Sequence, residues 1–122
     1  MATIQKVNLQ EKFALIPDYY NPRIAGELNN QAVKLVKVKG DFVWHHHEVE
    51  DELFLVVRGK LFMDFRDKTV ELLPGEFIIV PHGVEHRPRA DEEVELVLFE
   101  PASTLNTGNT VNELTRTELQ KI

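Results

Sequence analysis

Five histidines fall in two short stretches of this 122-residue chain. Three are consecutive, in Trp44-His45-His46-His47, and Glu48-Val49-Glu50-Asp51-Glu52 follows them. His82 and His86 lie either side of Gly83, just after Pro81. On a strand, successive side chains alternate faces. A strand over Phe42 to His47 therefore turns His45 and His47 one way, and Trp44 and His46 the other. Two imidazoles on one face, a carboxylate nearby and a later histidine make a nitrogen and oxygen ligand set for a divalent metal.

Four residues are the predicted ligands: His45, His47, Glu52 and His86. Glu52 is preferred among the acids because it opens an apolar run, where a buried carboxylate needs a partner. A register slip of one residue would offer Asp51 instead. Glu48, Glu50 and Asp51 otherwise read as a solvated acidic loop. The turn at Pro81 and Gly83 aims His86 from a neighbouring strand back towards the first cluster. His82, in that turn, and His46 are assigned to the surface.

The chain length suits one domain, since a second would lack a core of its own. Its 43% hydrophobic and 28% charged residues fit a globular protein with a solvated surface. Fourteen basic against twenty acidic residues give a net charge of −6, which argues against nucleic acid or an anionic membrane as partner. There is no cysteine, so disulfides and thiolate metal sites are excluded. No apolar run reaches signal-peptide or membrane-spanning length, and a cytoplasmic location is the expectation.

The elements that must position these residues read as short strands. From Ala32 the predicted strands are Val33 to Lys39, Phe42 to His47, Glu52 to Val57, Leu61 to Phe65, Thr69 to Leu73 and Phe77 to Val80. A short run around His86-Arg87, an acidic turn at Asp91-Glu92-Glu93 and a strand over Val94 to Glu100 complete the series. Short strands at about ten-residue spacing, punctuated by Gly and Pro, point to an all-β sandwich or barrel. The expected organisation is an N-terminal arm over 1–31, a barrel over 32–100 and a C-terminal arm or tail over 101–122. The first arm is expected to cover a sheet edge or the barrel mouth, with Tyr19, Tyr20 or Arg23 reaching into a pocket as the alternative. Phe42, Val43, Phe54, Val56, Met63, Phe65, Phe77 and Ile79 are candidates for a pocket wall, most of them plain core.

Two stretches carry a family resemblance. Gly40, His45-His46-His47, Glu52 and Gly59 resemble the first cupin motif, and Gly75, Pro81-His82-Gly83 and His86 the second. Four residues rather than five separate Gly40 from His45, and Ala90 stands where the family has asparagine; neither position supplies a ligand. The resemblance implies a double-stranded β-helix, or jelly-roll barrel, with a divalent transition metal inside (Fe, Mn, Ni or Zn). Such a centre leaves open positions for a small-molecule ligand. Three functions follow: a dioxygenase, isomerase or lyase acting on a small oxygenated molecule; a non-catalytic metal-binding or sensor module; or a barrel that the metal merely braces. The chain also resembles mannose-6-phosphate isomerase-like cupins, but no Lys and Arg cluster falls on pocket-facing positions to hold a phosphate. Small cupins pair through edge strands, so a homodimer is expected.

Overall fold

The computed structural model describes residues 4–122, so the first three residues of the expected N-terminal arm lie outside it. A short helix, α1 (Leu9–Phe13), precedes seven strands: β1 (Arg23–Leu28), β2 (Gln31–Asp41), β3 (Glu52–Arg58), β4 (Leu61–Phe65), β5 (Thr69–Leu72), β6 (Phe77–Val80) and β7 (His86–Pro101). All pair antiparallel, in the order β1-β2-β7-β3-β6, with β4 joining β7 and β5. This is the all-β, double-stranded β-helix architecture expected.

The long strand β7 organises the barrel. Its first residues pair with β4, from Phe65↔His86 to Phe62↔Arg89. Its later residues pair with β3, from Arg58↔Glu95 to Leu53↔Phe99. Along its other edge it pairs with β2 from Asp41↔Arg89 to Gln31↔Pro101. Period-two patterning then fills the interior: Val36 and Val38 of β2, Phe54 and Val56 of β3, Leu61 and Met63 of β4, and Leu96 of β7 are all buried. Each such side chain contributes about 1.5–3 kcal/mol through burial.

Three expectations are corrected. Phe42 to His47 is not a strand but irregular backbone, touching the sheet at one bridge, His45↔His86. The β2–β7 ladder shifts register between Val38 and Gly40, and Gly40 has φ +81, so the ladder ends in a bend. The acidic run Asp91-Glu92-Glu93 is not a turn; it lies inside β7 with its side chains exposed. Phe77 and Ile79 are not pocket wall. Pairing of Glu52 with Val80 puts Val80 inside and leaves Phe77 and Ile79 59% and 55% exposed on the outer face.

Residues 4–31 do more than cover an edge. Asn8 caps α1, its Oδ1 accepting from the Glu11 N–H at 2.9 Å. The helix and the residues after it seat Phe13 and Ile16 on Leu35, on the outer face of β2. Tyr20 instead turns inward and stacks on Phe42, ring centroids 4.6 Å apart, so one of the three candidates for reaching a pocket does so. After β7 the chain runs through turns to a single parallel bridge, Ile24↔Lys121.

The flanking arginines of His86 serve the fold. Asp64 on β4 is buried and accepts from Arg87 Nη2 at 2.9 Å, Arg89 Nε at 2.8 Å and Thr69 Oγ1 at 2.7 Å. Burial alone would raise its pKa, but Arg89, Thr69 and Arg87 outweigh that and hold it at about 2, against 3.8. A depressed carboxylate stabilises the fold above its unfolded pKa and loses that contribution as pH falls through the folded value. Asp64→Asn is therefore expected to cost about 2 kcal/mol at neutral pH. In paired urea titrations the gap to wild type should shrink as pH falls from 3.8 towards 2.

Candidate metal centre

The bend after β2 and the turn before β7 bring the two histidine stretches together. His45 N–H donates to His86 O at 3.1 Å, and His86 N–H to His45 O at 2.9 Å. Gly83, at φ +79, donates its N–H to His47 O at 2.7 Å, which ties the second turn to the first stretch. Glu52 enters from the start of β3, inward by the same parity that buries Phe54 and Val56. One ligand atom from each of His45, His47, Glu52 and His86 then lies within 4.8 Å of the others. All four residues are buried, none more than 4% exposed.

Each remaining histidine and acid has another position. His46 is partly buried, with Nε2 2.7 Å from Glu48, and Trp44 lies under the Arg66 guanidinium at 3.9 Å. His82 is at the surface, and Asp51 accepts from both its N–H and its Nδ1 at 2.8 Å. The register is thus the one that places Glu52, not Asp51, inside.

The donor set fits a divalent metal. His45 Nδ1 donates to Val43 O and His86 Nδ1 donates to Val84 O, both at 2.9 Å. A carbonyl only accepts, so the proton sits on Nδ1 and the Nε2 lone pair of each ring is free to bind an ion. His47 Nε2 is 2.8 Å and His86 Nε2 3.3 Å from Glu52 Oε1, yet none of these three buried atoms makes an aligned hydrogen bond. Buried polar atoms without partners are costly, and a cation where the three converge satisfies all of them. Burial, then the neighbouring His86, lowers the His45 pKa from 6.5 to about 4, so His45 is neutral at pH 7. Burial alone would raise Glu52; contacts with Glu100, His47 and His86 outweigh it and keep the carboxyl well below its usual range.

Two buried charges beside this cluster escaped the sequence reading. Glu100 of β7 touches Glu52, and its Oε1 accepts from Lys34 Nζ of β2 at 2.8 Å. Burial and the neighbouring Glu52 push the Glu100 carboxyl well above its ordinary range. Their parity was readable: Lys34 alternates with Val36 and Val38, and Glu100 with Leu96 and Leu98, all inward. The segment after β7 was missed too. Asn109 clamps His46, accepting from its N–H at 2.8 Å through Oδ1 and donating N–H to its carbonyl at 3.1 Å. Thr110 Oγ1 donates to Trp44 O at 3.0 Å. Gly108 packs so closely on this run that an added Cβ would stand 2.2 Å from His46 O.

A cavity adjoins the cluster, lined by Tyr20, Phe42, Phe54, Leu96, Leu98 and other side chains together with His45, Glu52, Glu100 and Asn106. The positions open to a water centre fill about 40 Å³, room for two or three waters. No helix among the described residues is long and apolar enough to cross a membrane.

Comparison with known proteins agrees with this geometry. The family pattern described as a cupin domain matches residues 33–100. A crystal structure of a cupin-2 domain containing protein from Shewanella frigidimarina is 44% identical and superposes with TM-score 0.77, covering 78% of this chain and 93% of that one. Protein NMB1881 from Neisseria meningitidis is 35% identical with TM-score 0.74, covering 80% of this chain and 99% of that one. The curated protein YdbB of Bacillus subtilis, itself described as uncharacterized, is 42% identical over 65 residues, 52% of this chain. The chain thus spans 58% of that relative's length. Barrel, converging histidines and matched residues lead to one conclusion: the chain belongs to the cupin family.

Proposed function

We propose that this protein is a small metalloenzyme, a dioxygenase, isomerase or lyase, acting on a small oxygenated molecule. Its centre is a divalent transition metal (Fe, Mn, Ni or Zn) held by His45, His47, Glu52 and His86. One observation carries the reading: three buried, unpartnered ligand atoms, His47 Nε2, Glu52 Oε1 and His86 Nε2, meet beside a largely apolar cavity. When bound, such a metal polarises a ligand oxygen or, if it is iron, activates dioxygen. The chain's own residues do the rest. Val43 O and Val84 O fix the tautomers of His45 and His86. Phe42 and Phe54 pack their rings against His45 and His86 and keep bulk water from them.

Elemental analysis of protein purified without added metal tests the reading, with titration of the stripped protein at neutral and acid pH. One equivalent per chain is expected at neutral pH. Binding should weaken at acid pH, because imidazoles must be neutral to ligate. No co-purifying metal and no binding at neutral pH would overturn it. Turnover of diketones, catechols and thiols by the loaded protein separates an enzyme from a binding module that uses the same site.

A further inference from the structure

Among the described residues, four buried side-chain atoms lack a hydrogen-bond partner, and a metal on the proposed ligands accounts for three of them. The fourth is Glu100 Oε2. Glu100 is not one of the four converging ligands, yet it lines the cavity beside them. Its other oxygen is held by Lys34 Nζ, which also donates to Thr104 O at 3.3 Å. Both residues are 2% exposed, so the carboxyl is fixed in place before any ligand arrives.

The other polar groups of the cavity wall are already engaged. Tyr20 donates its hydroxyl hydrogen to Gly40 O at 2.6 Å. Asn106 donates Nδ2 to Leu114 O at 2.9 Å and accepts from the Arg116 N–H at 2.8 Å. His45 and Glu52 belong to the metal set. No lysine or arginine among the described residues lines the cavity, and Lys34 behind it is engaged by Glu100 Oε1 and Thr104 O. Remaining walls are aliphatic and aromatic.

We propose that the cavity takes a small, uncharged, hydroxyl-bearing ligand, one of whose hydroxyls pairs with the Glu100 carboxyl while its other oxygens face the metal ligands. The inference rests on the metal-centre reading above and adds the substrate class. A hydroxyl both donates and accepts, so it matches a carboxyl whether or not that carboxyl holds a proton. A phosphate ester meets the Glu100 carboxyl and finds no lysine or arginine free on the wall, the metal being the one cation and already faced by the ligand's other oxygens. The narrow cavity favours a ligand of few atoms.

The test uses Zn²⁺-loaded protein, calorimetry and three probes: hydroxyacetone, dihydroxyacetone and dihydroxyacetone phosphate. The first two present the same carbonyl and hydroxyl pair and differ by one further hydroxyl. Dihydroxyacetone is expected to bind about tenfold tighter than hydroxyacetone, the scale of one buried hydrogen bond. The phosphate ester should bind at least about tenfold more weakly than dihydroxyacetone. The double variant Lys34→Met/Glu100→Leu removes both buried charges together; it should keep Zn²⁺ and lose the preference for dihydroxyacetone. Equal binding of the first two probes, a preference that survives the double variant, or tightest binding of the phosphate ester would each overturn the proposal. The ranking in wild-type protein decides the matter even if the variant does not fold. Zn²⁺ content, measured on the same samples, separates the two readings: wild-type protein that takes no Zn²⁺ removes the metal centre and this inference with it. Protein that takes Zn²⁺ but fails the ranking removes this inference alone.

Discussion

His47→Ala is expected to lower divalent-metal affinity by at least about 100-fold, beyond the range found when a residue supporting a metal ligand is lost. His47 Nε2 is 2.8 Å from Glu52 Oε1, with no other partner, so the substitution removes a donor and leaves a buried carboxylate less well matched. The consequence for stability depends on metal. Metal at about 1,000 times its dissociation constant adds about 4 kcal/mol to wild type. That increment should vanish in His47→Ala, so thermal melts of the two proteins should lie far apart with metal and closer without it. A melt of wild type that ignores metal, although metal binds, would mean that folded and unfolded chains bind it equally. A variant that loses metal without losing any stability would exclude the bracing role.

Gly108→Ala is expected to destabilise the fold by about 3 kcal/mol, combining overpacking with a left-handed backbone that an L side chain resists. Gly108 has φ +55, and its added Cβ would lie 2.2 Å from His46 O and 3.0 Å from His45 Cδ2. A backbone carbonyl cannot swing away as a flexible side chain would, so the histidine run must move. Metal affinity should therefore fall by about tenfold as well, as for other residues that orient a ligand. Gly75→Ala is the control. It has φ +86 but nothing within 4 Å of the added Cβ, so it should cost only the backbone strain, about 1–2 kcal/mol. Urea midpoints and metal titrations of both variants check the pair. Equal losses would show that the clash at Gly108 relaxes freely.

The four proposed ligands were legible because their chemistry is unusual for their surroundings. Histidines confined to two stretches, one of them in alternation, and a carboxylate opening an apolar run are local signals. The parity argument placed His45 and His47 inside correctly, although the backbone there is not a strand. Both rings still face the cluster because the His45↔His86 bridge and the Asn109 clamp fix this backbone in place. Lys34 and Glu100 were equally inward by parity, but each alone reads as a solvent-facing charge. Their pairing appears only when strands 66 residues apart become neighbours. The acidic run within β7 failed for the opposite reason. Three exposed acids resemble a turn, and only the pairing with β2 on either side of them, Gly40↔Ala90 and Val38↔Val94, carries the strand across the register shift. The role of Gly108 was hidden in a polar segment with no periodicity, where a glycine marks a turn without saying what lies beneath it.

The curl of β7 has a kinetic meaning. Sixteen residues of straight strand would span roughly 50 Å. Yet His86 at its start and Glu100 near its end both touch Glu52. The strand can bring both ends to one carboxylate only after it has wrapped the barrel against β2, β3 and β4. These pairings are non-local, and loop-closure entropy sets their rate. The ligand set draws on segments far apart in the chain, so it is complete only once these pairings have closed. A metal ion bound there is expected to act as a latch rather than a template: unfolding rates should fall with added metal while refolding rates stay almost unchanged.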